Sequence, residues 1–265
     1  MKSFDNNDSL LRAWKCRFDG IYLINYIFYR NRKERMYKVL RSNMLENDTT
    51  WIHSVPSGFD DKLIEHSNDI AGGMTKPKVN LALAHYRAIS EAYWSGKSSI
   101  LIMEDDIAFL KDKELLSKII MAIPYNSDIV LLDKAGLASQ KKEYEMEISH
   151  PLNEYFASMG GLTLWNASCY CLSRRGMRYI IDSQEKCLNV ADYYTNLFPA
   201  ERLNTWKKEY NGINVSFAIT SAAIQIPSAE KFDTVTNHRN KDNWVYMQPG
   251  LWDCGMKPEL YEISI

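Results

Sequence analysis

Apolar positions in the first half of the chain alternate between short unbroken runs and longer stretches with helical spacing. The run Gly20-Ile21-Tyr22-Leu23-Ile24-Asn25 is short and β-favouring, and predicts a buried strand. Residues 30–44 follow with Met36, Val39, Leu40 and Met44 on one helical face, and with Arg30, Arg32, Lys33 and Arg35 crowded at the start. Residues 51–55 predict a second strand, ended by Pro56, Ser57 and Gly58. After a loop with Gly72, Gly73 and Pro77, residues 79–94 predict a helix that Gly96 stops. Residues 99–103 predict a fully apolar strand running straight into Glu104-Asp105-Asp106. A helix at 115–122 ends near Pro124, and residues 128–132 predict another buried strand.

Strands apolar on both faces, alternating with helices, indicate an α/β fold: a mostly parallel, Rossmann-like sheet flanked by helices. In such sheets ligands bind beyond the carboxyl ends of the strands, where Asn25 and the acidic triplet fall. The second half is less regular. Gly160-Gly161 leads into a strand at 168–172, and a helix starts at Ser173 with Met177, Ile180 and Ile181. Another element opens at 190–196. Residues 215–226 read as a strand pair or one extended run, and 233–265 as a loop-rich wrap. The expected organisation is one domain: an N-terminal extension at 1–18, a regular α/β half at about 20–135 and a loop-rich half at about 136–265.

Composition narrows the function classes. The chain has 265 residues and 46% apolar content, enough for a full core. Lysine plus arginine total 32 against 33 acidic residues, so no general field draws the protein to nucleic acid, and no nucleic-acid partner is expected. The five cysteines are odd in number and match no zinc spacing, which favours free, mostly buried thiols in a reducing compartment. The first twenty residues lack a continuous apolar stretch and no run approaches a bilayer span, so a cytoplasmic location is expected. Leu10, Leu11, Trp14 and Phe18 with Arg12, Lys15 and Arg17 suit an amphipathic helix. Packing on its own domain is the preferred reading, and weak attachment to the cytoplasmic face of the inner membrane is the other.

The chemistry concentrates in the triplet. Three carboxylates ending a buried strand must reach solvent or be neutralised by a cation. In extended chain Glu104 and Asp106 would share a side, and two such carboxylates can hold a divalent ion that also grips a diphosphate. A different class competes: a receiver-like or noncatalytic nucleotide-binding module, with an acidic pair at the triplet and Asp133 as phosphoacceptor after Ile129-Val130-Leu131-Leu132. The stretch between those two strands is too short for the helix, strand and helix a receiver needs.

Several motifs, in order and spacing, resemble those of the family 25 glycosyltransferases, which include bacterial lipooligosaccharide galactosyltransferases and collagen galactosyltransferases. They are Ile21-Tyr22-Leu23-Ile24-Asn25 with Arg32, Arg35 and Met36; Leu83-Ala84-His85-Tyr86-Arg87-Ala88; Ile102-Met103-Glu104-Asp105-Asp106; Cys169-Tyr170-Cys171-Leu172-Ser173-Arg174-Arg175-Gly176; and Val190-Ala191-Asp192-Tyr193-Tyr194. The sequence departs from the family at Ile27, at Asn80-Leu81 and at Ala84. The resemblance implies a GT-A fold and inverting transfer of a hexose, with UDP-galactose as donor and a lipooligosaccharide or other surface-glycan hydroxyl as acceptor.

It also implies roles for particular residues. Asn25, Arg32, Arg35, His85, Glu104 and Asp105 would contact the donor, Arg32 and Arg35 through its phosphates. Asp106, Glu104 and His238 would hold Mn2+ or Mg2+. Asp192 would serve as base toward the acceptor, or only orient it. Each has a plainer alternative: a turn residue for Asn25, a solvated helix face for the arginines, a core histidine for His85, a loop histidine for His238. Trp165, Tyr193, Tyr194, Trp244 and Trp252 are candidates to stack on sugar faces or simply to pack.

Overall fold

A computed structural model of the chain describes residues 6–26, 30–54, 76–133, 141–159, 167–186, 213–225 and 260–262. The helices are α1 (Asn6–Arg17), α2 (Arg30–Ser42), α3 (Lys76–Trp94), α4 (Lys113–Met121), α5 (Lys141–Ile148) and α6 (Arg174–Lys186). The strands are β1 (Gly20–Tyr26), β2 (Thr49–Ser54), β3 (Ser99–Glu104), β4 (Ile107–Phe109), β5 (Ile129–Leu131), β6 (Phe156–Ser158), β7 (Cys169–Ser173), β8 (Val215–Ala218) and β9 (Ala223–Gln225).

Seven strands form one sheet in the order β2-β1-β3-β7-β5-β8-β6. β1, β2, β3, β5 and β8 run one way, while β6 and β7 run against them. The α/β, mostly parallel architecture read from the sequence is therefore present, with two antiparallel strands added. Residues from both halves of the chain share this sheet.

Alternation along the strands divides the core in two. Ile21, Leu23, Leu101 and Met103 face one side and pack with Trp14, Met36, Leu40 and Ile119 from α1, α2 and α4. Tyr22, Ile24, Ile100 and Ile102 face the other and pack with Ala84, Ala88, Met177 and Ile180 from α3 and α6. Both sides are covered by helices, which is why these strands read as unbroken apolar runs.

Leu10, Ala13 and Trp14 of α1 are buried, and the Trp14 indole donates to the Asn43 carbonyl at 3.0 Å. The apolar face that a membrane-bound helix would need is inside the domain. Among the described residues, no helix is long and apolar enough to cross a membrane. Cys16 is exposed, Cys169 and Cys171 are buried, and all three are free. Burial pushes both buried thiols up, which keeps them protonated and unreactive. Cys187 and Cys254 lie outside the described residues.

Three local details differ from the sequence reading or explain it. Helix α2 ends at Ser42, because Met44 takes the left-handed conformation at φ 60°. Leu45 N–H then bonds to the Leu40 carbonyl and Met44 N–H to that of Arg41, the pattern usually capped by glycine. Gly96, at φ 84°, plays the same part after α3 and matches expectation. Gly176 has another reason: a Cβ there would stand 2.1 Å from the Asp128 carbonyl oxygen. That glycine lets α6 close against the start of β5, so its motif position is a packing requirement.

The expected strand pair at 215–226 also divides. β8 joins the large sheet beside β5, whereas β9 turns away to pair with β4 in a small second sheet. Residues 260–262 return alongside β4 through an antiparallel bridge between Leu110 and Tyr261. Glu262 there accepts from Lys113 at 2.8 Å, Ser42 at 2.8 Å and Asn43 at 3.0 Å. The small sheet is thereby tied to α2 and α4, immediately downstream of the acidic triplet.

Candidate functional site

The carboxyl ends of β1, β3, β5 and β8 lie along one edge, together with the amino end of antiparallel β7. That edge gathers Asn25, Glu104, Asp105, Asp106, Asp133 and Ser168. Only Glu104 belongs to β3; Asp105 and Asp106 form the turn into β4. Simple strand alternation therefore stops at Glu104, and the expected same-side pairing of Glu104 with Asp106 does not follow from the strand.

On the side of the sheet covered by α2, the centre is Asp105. Its Oδ2 accepts from Asn25 Nδ2 at 2.8 Å and its Oδ1 accepts from Arg32 Nη1 at 2.9 Å. Arg35 Nη2 donates to the Asp105 backbone carbonyl at 2.8 Å. Arg32 Nη1 also lies 3.5 Å from Asp106 Oδ2. Asn25, Asp105 and Asp106 are all buried. The basic start of α2 is thus a counterion for the triplet, and the neutralising charge comes from guanidinium. Burial draws the Arg35 guanidinium below its ordinary value, and Asp106 pulls it back. The sequence reading offered Arg32 and Arg35 to phosphate; the structure engages both with Asp105.

On the opposite side, α3 presents His85, which is fully buried. Its Nδ1 lies 2.8 Å from the Tyr170 hydroxyl and its Nε2 lies 3.1 Å from Glu104 Oε1. The His85 and Tyr170 rings stack with centroids 5.8 Å apart. Burial depresses the imidazole to about 3, so the contact to Glu104 is a hydrogen bond from a neutral ring rather than an ion pair. A carboxylate only accepts, so Nε2 carries the proton, and Nδ1 accepts from the tyrosine. His85 has no exposed surface to offer a ligand; its contact is with Glu104.

Ser168, the residue before β7, holds the same residue through the main chain, since Glu104 N–H donates to the Ser168 carbonyl at 2.7 Å. The Ser168 hydroxyl donates in turn to the Asp133 carboxylate. Asp133 is 1% exposed, which closes it to an incoming phosphoryl group. Tyr170 and Ser168 were given no site role from sequence, and Asp133 was named only as the phosphoacceptor of the receiver-like reading. The available signal was alternation: Ser168, Tyr170 and Leu172 share one face of β7, opposite Cys169 and Cys171.

Asp192 and His238, and the aromatic candidates Trp165, Tyr193, Tyr194, Trp244 and Trp252, lie outside the described residues. Among the described residues, no three acidic, histidine or cysteine side chains converge as a metal cage. Comparison with protein-family models and with curated proteins finds no match to this chain.

Proposed function

We propose that the protein is a nucleotide-sugar glycosyltransferase of GT-A architecture, an inverting hexosyltransferase using UDP-galactose. The acceptor would be a sugar hydroxyl of a lipooligosaccharide or other surface glycan. The observation that carries this reading is convergence. Asn25, Arg32 and Arg35, then His85, then the triplet, then Tyr170 come from four separated motif segments, and they meet at one corner of the carboxyl edge. All but the His85–Glu104 pair are separated by 70 to 85 residues in sequence. A solvated surface cluster of acids would not need such long-range, buried support.

The residues support a division of labour. Asp105, with both oxygens and its carbonyl engaged, sets the shape of the turn. Asp106 and Glu104 are the acids proposed to hold a divalent ion. Magnesium-type ions are commonly held by one or two carboxylates, with substrate phosphates completing the shell, so a two-acid site suits Mn2+ or Mg2+ brought with a diphosphate. When bound, the ion would supply Lewis-acid stabilisation of the departing nucleoside diphosphate. Asp192 remains the proposed base and His238 the proposed third metal ligand. The receiver-like alternative is disfavoured by the burial of Asp133 beneath Ser168.

Incubating the full chain with UDP-galactose, Mn2+ and a panel of oligosaccharide acceptors tests the proposal. A glycosylated product with inverted anomeric configuration by NMR is expected. Failure to consume any uridine or guanosine sugar donor, with or without acceptor, would sink it.

A further inference from the structure

His85 and Tyr170 are buried, so neither can read a ligand by direct contact. They still end on the triplet carboxylate whose side chain is the most exposed. The Glu104 side chain is 16% exposed, against 5% for Asp105 and 7% for Asp106. Glu104 is also gripped through its main chain by Ser168. Two elements far apart in the sequence, α3 and β7, thus converge on a single acid. A histidine needed only for packing could be replaced by an apolar residue at little cost. Here both ring nitrogens are used in a directional chain that terminates at the edge.

We propose that His85 and Tyr170 are positioning residues. The Tyr170 hydroxyl donates to His85 Nδ1, which places the ring proton on Nε2, and that N–H holds the Glu104 carboxylate in the orientation that receives the metal–diphosphate head of the donor. The inference rests on the transferase reading and deepens it. It moves His85 from donor contact to support of an acid, and gives Tyr170 a role through His85. Supports of this kind around a metal-binding carboxylate commonly change affinity by about tenfold to a hundredfold.

The test combines two readouts on the full chain. The protein has five histidines. With 15N-labelled histidine, the His85 signal is identified by its loss in His85→Gln. The wild-type ring is expected as the Nε2–H tautomer, and Tyr170→Phe is expected to shift it toward a tautomer mixture. In parallel, calorimetry with UDP and Mn2+ should show about tenfold weaker binding in Tyr170→Phe. His85→Gln, which keeps an N–H near the Nε2 position, should retain most of the affinity that His85→Leu loses. Melting curves accompany each variant, so a chain that has lost its fold is recognised.

An Nδ1–H tautomer in the wild-type protein overturns the proposal. So does a Tyr170→Phe variant that binds UDP and Mn2+ as the parent does. Absence of UDP–Mn2+ binding by the wild-type chain overturns the transferase reading and the donor part of this inference. The histidine spectrum would still decide the hydrogen-bond chain.

Discussion

The two sides of the β3 terminus solve the same problem by different means. On the α2 side Asp105 is neutralised by charge, through Arg32, with Asn25 and Arg35 completing its hydrogen bonds. On the α3 side Glu104 is held by a neutral histidine backed by a tyrosine. A buried carboxylate with a full guanidinium partner is committed to structure, because removing either partner leaves an uncompensated charge. A carboxylate oriented by a neutral donor keeps its charge for another cation. The acidic triplet is thus not one motif but two environments, with Asp105 fixed by guanidinium in the turn and Glu104 held by a neutral ring from the other side of the sheet.

The sharpest way to break this division is to remove the neighbouring acids one at a time. Asp105→Ala should lower unfolding free energy by about 3–5 kcal/mol in urea titrations, because Arg32 loses its buried partner. Asp106→Ala should destabilise less, because Arg32 Nη1 lies 3.5 Å from Asp106 Oδ2 but 2.9 Å from Asp105 Oδ1, and should cut turnover on the order of a thousandfold, the several kcal/mol that an absent cation would withdraw. Equal destabilisation by the two substitutions would erase the distinction.

Acidification probes the neutral side. His85 has a folded value of about 3 against an ordinary 6.5, so the unfolded chain binds the proton more readily between them. Its contribution to stability is whole above about pH 6.5 and is lost progressively as pH falls toward 3. Urea midpoints measured across that range in wild type and His85→Gln should diverge on the acid side, with the variant less sensitive. Parallel curves would contradict a neutral His85.

Smaller effects should come from the supports. Tyr170→Phe leaves the buried Nδ1 without its donor and should cost about 1–3 kcal/mol. Gly176→Ala forces α6 away from the Asp128 carbonyl and should cost a similar amount through overpacking, while leaving the His85 spectrum unchanged. A Gly176→Ala variant as stable as the parent would remove the packing account of that glycine.

Much of the fold was legible because periodicity reports burial directly. The runs in β1, β3 and β5 are apolar on both faces and became sheet interior, and Gly96 marked the end of α3. Met44 hid the end of α2, because no glycine stands at a position that has a positive φ. The separation of β8 from β9 could not be read, since both are short apolar segments and only tertiary partners decide their sheets. At the candidate site, residue types pointed to one corner of the sheet edge but not to the partners met there. Arg32 and Arg35 looked ready for phosphate because sequence does not show that Asp105, 73 and 70 positions later, meets them first. His85 looked like either a core or a ligand residue, and it is a core residue whose hydrogen bond ends at the site.

The central claim is that this edge binds a nucleotide sugar together with a divalent cation. Isothermal titration calorimetry of the full chain with UDP-galactose, in the presence of Mn2+ and again after chelation, tests it most directly. Saturable binding is expected that depends on Mn2+ and disappears in Asp106→Ala. No heat with any uridine or guanosine sugar donor, or binding equally tight without the metal, would contradict it.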